Sequence, residues 1–257
     1  MKIDVLWTPL ELERVTVQDR TAVAVDVLRA GTTVAAAIHN GARAVVPAES
    51  IEEALRIANS IGRDEALLGG ERQGLRIQGF DLGNSPLEFT SEVVGGRTIV
   101  MTTTNGTQAL AALAGAGVVY IGALVNLRYV VAALRNAAGD PLIICAGREG
   151  RVSVEDALCA GLMVEALVKK GRKSVRAELG DGAQAALALA RELTPVSDET
   201  LRSTAAGRAL DELGQEADIA FCAQLDSIPA VPVLRDRQIV RLESTVGSGR
   251  RGKGRAR

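Results

Sequence analysis

Short apolar, β-branched runs alternate with longer Ala/Leu-rich runs along most of the chain. The short runs predict strands over Ile3–Trp7, Ala22–Leu28, Ala44–Pro47, Ala66–Gly69, Thr98–Thr103, Val118–Ile121, Leu142–Cys145 and Ile219–Cys222. The longer runs predict helices over Thr33–Asn40, Ile51–Ile61, Thr107–Ala114, Leu127–Ala137, Ser153–Lys169, Gly182–Leu193 and Thr200–Leu213. Strand–helix–strand alternation implies right-handed crossovers and a mainly parallel sheet covered on both faces. The expected fold is a layered α/β/α unit with its site at the carboxyl ends of the strands.

Leu234–Glu243 alternates apolar and polar residues, which predicts a half-exposed hairpin or an edge strand. From Val246 onward the chain is Gly-rich, carries five cations and cannot bury a core. Residues 1–245 therefore read as one α/β catalytic unit, and 246–257 as a flexible basic tail.

A shift of 75 residues lays Gly31-Thr32 on Gly106-Thr107 and keeps the following helix and strand in phase. Val25–Ala48 and Val100–Ala123 share six identities in this register, three of them Ala. A duplication on this pattern predicts two related βαβαβ units whose Gly-Thr loops face each other across the site.

Composition narrows the function. A chain of 257 residues, 47% hydrophobic, suits one large α/β domain or two small lobes with a real core. A net charge of -1, six aromatics and no stacking motif argue against a nucleic-acid partner. Met1–Leu6 is charged too early for a signal peptide, and no apolar run approaches a membrane span, so a cytoplasmic protein without a membrane partner is expected. Cys145, Cys159 and Cys222 show no CxxC spacing, which disfavours a disulfide framework or a zinc site. The sequence leaves homo-oligomerisation open.

Five small-residue loops fall where strands should feed helices: 26–33, 69–74, 79–86, 102–107 and 145–151. Glycine lets backbone N–H groups approach an oxyanion, and a helix start adds a positive dipole end. Asp26, at the end of an apolar strand with Arg29 three residues on, reads as a metal ligand or nucleophile beside an anion clamp, or as a structural Asp–Arg pair. Thr32 and Thr33 read as helix caps or anion contacts, and the run Thr102-Thr103-Thr104-Asn105-Gly106-Thr107 holds more hydroxyls than a cap needs. Glu71, Arg72, Arg76, Asp81, Asn84 and Ser85 crowd one Gly-rich segment of unusual length. Glu155 and Asp156 suit either a helix start or a cation.

Cys145 and Arg151 stand in the Cys-x5-Arg spacing of cysteine phosphatases, with Ile144 where those enzymes usually have His. Against that reading, buried strand cysteines commonly serve as small hydrophobes. His39 is the single histidine, so acid–base work falls to carboxylates, water or metal-activated water. No phosphate-binding P-loop and no clean dinucleotide fingerprint is present.

Taken together, Asp26–Thr33, Gly70–Gly74, Gly79–Pro86, Thr102–Thr107 and Glu155–Gly161 resemble the 2-phosphosulfolactate phosphatase family, in order and from near the N-terminus to about Pro232. The resemblance implies a Mg2+-dependent α/β enzyme that hydrolyses 2-phosphosulfolactate to sulfolactate and phosphate, a step of coenzyme M synthesis. It points to Asp26, Arg29, Glu71, Arg72, Asp81, Asn84, the Thr-Thr-Asn-Gly segment, Glu155 and Asp156 as the site.

The chemistry of a small trianionic phosphate ester then distributes the roles. Asp26, Arg29, Glu71, Arg72, Asp81 and Asn105 become the catalytic set, with the metal on a subset of Asp26, Glu71, Asp81, Glu155 and Asp156. Thr32, Thr33, Arg76, Asn84, Ser85, Thr103, Thr104, Gly106, Thr107, Arg148 and Arg151 become substrate contacts. Attack is by metal-activated water or by Asp26 itself. The alternatives are a metal-independent cysteine phosphatase using Cys145 and Arg151, and a non-catalytic binder of a small phosphorylated or sulfonated metabolite.

Overall fold

A computed structural model describes residues 1–104, 110, 113, 115–169 and 177–243. The predicted helix over Thr107–Ala114 falls largely outside them, and the basic tail wholly so.

The strands are β1 (Lys2–Leu6), β2 (Thr21–Val25), β3 (Ala44–Pro47), β4 (Ala66–Arg72), β5 (Leu75–Arg76), β6 (Thr98–Thr102), β7 (Val118–Gly122), β8 (Pro141–Cys145), β9 (Glu178–Leu179), β10 (Pro232–Arg235) and β11 (Gln238–Arg241). The helices are α1 (Ala30–His39), α2 (Ile51–Ile61), α3 (Ser91–Val94), α4 (Leu127–Asn136), α5 (Val154–Val168), α6 (Asp181–Glu192), α7 (Asp198–Arg202), α8 (Ala205–Glu212) and α9 (Glu216–Cys222). One sheet runs in the order β5-β4-β6-β3-β11-β10-β7-β2-β8-β1-β9.

Two parallel segments, β4-β6-β3 and β7-β2-β8-β1-β9, are joined by the antiparallel hairpin β10–β11. Residues of β2, β6 and β8 are buried throughout, as central strands covered on both faces must be. Alternate residues feed two layers. Ala24, Ile99, Ile121 and Ile144 pack towards α1, while Val23, Val25, Ile143 and Cys145 pack in the layer that includes α4, α5 and α6. Val100 and Leu68 meet Ala54 and Ala58 of α2. Helix α1 (AGTTVAAAIH) has no polar face to give to water, and all its residues from Ala30 to Ile38 are buried.

The repeat is legible in the hydrogen-bond register. Ala44, Thr98 and Ala66 form one row across β3-β6-β4. Val118, Thr21 and Pro141 form the matching row across β7-β2-β8. Equivalent positions (Ala44 and Val118, Thr21 and Thr98, Ala66 and Pro141) lie close to the 75-residue shift read from the sequence. The two units are interleaved rather than adjacent, because β2 inserts between β7 and β8 while β6 inserts between β3 and β4. Three antiparallel pairings invert the strand sense between the segments.

Three expectations are corrected. The 234–243 hairpin is real, but it lies mid-sheet between β3 and β7, with Val233 and Ile239 buried and the turn at Asp236-Arg237 in the left-handed region. Ile219–Cys222 is helical (α9) rather than a strand, since a four-residue apolar run carries no period of its own. The predicted helix Thr200–Leu213 is two helices: Thr204 accepts from Gly207 N–H and donates to Leu201 O, which caps α8 and ends α7. Among the described residues, no helix is long and apolar enough to cross a membrane.

Candidate active site

Asp26 follows the last residue of β2, and its backbone N–H bonds Gly122 O of β7 at 3.3 Å. Its carboxylate accepts from Ala30 N–H at 3.1 Å and so caps the start of α1. Helix α1 begins pressed against the strand ends: a Cβ on Gly31 would stand 2.4 Å from Asp26 O and 3.0 Å from Gly122 O. Burial pushes the Asp26 carboxyl up to about 7; the charges of Glu155 and Glu71 add to this, while the Ala30 N–H and Arg29 oppose it.

Glu71, near the end of β4, is buried with both oxygens held: Thr104 N–H donates to one at 2.8 Å and Gly74 N–H to the other at 2.8 Å. The residue before it must be glycine, because Gly70 has φ 147 and a Cβ there would lie 2.1 Å from Thr102 O. Glu71 thus ties the β4–β5 turn to the end of β6. On the other side, Val27 N–H at 2.8 Å and Gly147 N–H at 3.1 Å donate to the two oxygens of Asp156, which joins the loops after β2 and β8 to the start of α5. Glu155 beside it is 3% exposed. Burial raises Asp156 well above the ordinary carboxylate range, and the charges of Asp26 and Glu155 add to it.

Arg29 is buried and its fork is occupied. It donates to Asp218 at 2.6 Å, Gln215 at 2.6 Å and Gly74 O at 2.9 Å. Ser85 Oγ donates to the other Asp218 oxygen at 2.6 Å, and Thr33 Oγ1 to Asn84 O at 2.9 Å. The expected anion clamp is therefore the hub of a buried network that draws α9, the β4–β5 turn and the 84–85 loop together. Thr32 likewise spends its hydroxyl on Val27 O.

These segments frame a crevice with about 100 Å3 of water-accessible space, lined by Arg29, Glu71, Asn84, Thr104 and Arg148, with Ala206, Ala209, Leu210 and Leu213 of the α8 region as an apolar wall. Thr103 stands with Asp26 beside a second, apolar cavity under α1. Arg72 bonds back to Glu71 O and to Thr102 Oγ1. Asp81 and Arg76 do not line the crevice: Asp81 pairs with Arg63 at 3.0 Å and accepts from Leu68 N–H, and Arg76 donates to Asp81 O at the surface. Arg151 is exposed, and Asn105, Gly106 and Thr107 lie outside the described residues.

The cysteine-phosphatase alternative is corrected. Cys145 points into the layer beneath α5, fully buried, where burial and the neighbouring Asp156 push its thiol well above its usual range. A nucleophilic cysteine needs the opposite shift. Cys145→Ala is expected to retain phosphate release within about threefold; a loss of about a hundredfold, the scale of a missing catalytic group, would reverse this reading.

Sequence reasoning missed Asp218 and Gln215, which meet Arg29 across 189 and 186 positions. The signal available was an acid directly preceding an apolar run, which on a helix shares the buried face. Among the described residues no three His, Cys, Asp or Glu side chains stand close enough to form a ready metal cluster.

The family model described as 2-phosphosulpholactate phosphatase matches residues 6–237. A relative in Clostridium beijerinckii is 37% identical over 239 residues, covering 93% of this chain and 99% of its own length. One in Symbiobacterium thermophilum is 42% identical over 228 residues, covering 87% and 95%. One in Thermotoga maritima is 39% identical over 232 residues, covering 90% and 95%. Each bears the name "Probable 2-phosphosulfolactate phosphatase". With nearly the whole fold and every loop of the crevice inside the matched region, this chain belongs to the 2-phosphosulfolactate phosphatase family.

Proposed function

We propose that this chain hydrolyses 2-phosphosulfolactate to sulfolactate and inorganic phosphate, with Mg2+ held among the carboxylates around Asp26. The observation that carries the reading is electrostatic. Asp26, Glu71, Glu155 and Asp156 gather in one largely buried region, and the cation that acts on Asp26, Arg29, is already neutralised by Asp218. Such crowding is costly without a further positive charge.

The donor set fits Mg2+, which prefers hard oxygens and completes its shell with water and phosphate oxygens around one or two carboxylates; a preformed cluster of three is not required. Asp26 and Glu155 are the best placed to hold it, since both Glu71 oxygens and both Asp156 oxygens are taken by backbone N–H groups. When bound, the ion supplies positive charge against the phosphoryl oxygens.

Mg2+ at Asp26 would draw its proton affinity down from about 7, so that the carboxylate would stand ionised around the ion, and a neighbouring water would give up its proton more readily. The hydroxyl oxygen joins phosphorus, the bond from phosphorus to the C2 oxygen breaks, and the departing oxygen recovers the proton to leave as the sulfolactate hydroxyl. Phosphate release from 2-phosphosulfolactate and from p-nitrophenyl phosphate tests the substrate assignment. A preference of about a hundredfold or more in kcat/KM for the former is expected from a site that hydrogen-bonds the extra anions; equal values would contradict it.

A further inference from the structure

The geometry points to Arg148, with Thr104, as the seat of the substrate's sulfonate, and so as the group that sets specificity. Two polar side chains around the crevice have donors unspent among the described residues. The Arg148 guanidinium is half-buried and has no hydrogen-bond or ion-pair partner among the described residues. Among the described residues, Thr104 Oγ1 is buried without a partner. Buried polar groups left unpaired within the protein are ordinarily paired by something else.

Arg148 is also presented rigidly. Its N–H and C=O both bond Arg151 at 2.9 Å, closing a two-residue turn in which Glu149 and Gly150 have φ 52 and 72. The other arginines of the site have their forks engaged. Arg29 is held by Asp218 and Gln215, and Arg72 by Glu71 O and Thr102.

The chemistry then selects the group. The phosphate is drawn to the carboxylate side, where Mg2+ is proposed to sit. A sulfonate presents three equivalent oxygens and one charge. A guanidinium fork answers two of them, and a hydroxyl donor the third. A carboxylate, with two oxygens, would need the fork alone and leave the Thr104 hydroxyl unpaired. This assignment rests on the phosphatase reading.

Two readouts test it separately from that reading. The first is the ratio of kcat/KM for 2-phosphosulfolactate to that for 2-phospholactate, in which hydrogen replaces the sulfonate. Arg148→Gln is expected to collapse this ratio by about ten- to a hundredfold, mostly through KM, and Arg148→Lys by less, since it keeps the charge but not the fork. The second is calorimetric binding of sulfolactate and of lactate to the Mg2+-loaded protein. Wild type should favour sulfolactate and Arg148→Gln should lose that preference. A ratio and a binding preference that survive Arg148→Gln would overturn the assignment. Sulfolactate preference lost in Arg148→Gln, but with no phosphate released by wild type from either ester, would overturn the phosphatase reading while supporting the sulfonate seat.

Discussion

Asp26→Asn is expected to cut phosphate release from 2-phosphosulfolactate by about two to four orders of magnitude, the scale of a lost catalytic group, and at the same time to stabilise the metal-free protein at alkaline pH. The second effect follows from linkage. The Asp26 carboxyl is raised from 3.8 to about 7 by burial and by Glu155 and Glu71. Between those values the folded protein binds more protons than the unfolded chain. The stability associated with this group is therefore fully present below pH 3.8 and is lost as pH rises through about 7, by up to about 4 kcal/mol. Asparagine carries no charge to bury, so the variant should lose this part of the pH dependence. Mg2+ should reverse the loss in wild type, raising Tm more at pH 8 than at pH 5.5, with little effect on the variant. Thermal scans across pH, with and without Mg2+, check each part. A wild-type Tm whose response to Mg2+ does not change between these pH values would detach Asp26 from the ion.

The second large effect concerns Asp218, 5% exposed against Arg29 at 3%. Asp218→Ala leaves a buried guanidinium without its counter-charge and Ser85 without its acceptor. The expected cost is about 3–5 kcal/mol, or a fall in Tm of roughly 6–20 °C for a chain of this size. The same change frees α9 and the turn that presents Gly74 to Glu71, so kcat should fall even at temperatures where the variant remains folded. Asp218→Asn, which keeps the shape and one acceptor, should lose less of both. Denaturant unfolding and turnover measured side by side check the pairing. An alanine variant as stable and as active as wild type would show that Arg29 needs no partner.

The sheet strands of the repeat were legible because each carries its signal locally. Thr98–Thr102 and Pro141–Cys145 are short apolar runs bounded by polar or small residues, and both are buried strands. The candidate acids at strand and helix ends were legible for a related reason: Asp26, Glu71 and Asp156 stand next to runs that must be buried, so their carboxylates are carried inward with them. Asp81 shows the limit of that argument. It sits in the same Gly-rich segment as Glu71, yet Arg63, 18 residues away, claims it at the surface. The place of the hairpin could not be read either. Val233 and Ile239 mark one buried face each, but nothing local says that the neighbours are β7 and β3 rather than solvent. Arg29 is the clearest case. Its sequence neighbourhood suggests an anion clamp, whereas its role is set by a carboxylate 189 residues on, in a segment whose short apolar run favoured a strand.

The most direct test is inorganic phosphate released from 2-phosphosulfolactate by the purified protein with Mg2+, after excess EDTA, and after Mg2+ is restored. Release that stops with EDTA and returns with Mg2+ is the predicted result. Release that continues undiminished in EDTA would contradict a metal held among the carboxylates around Asp26.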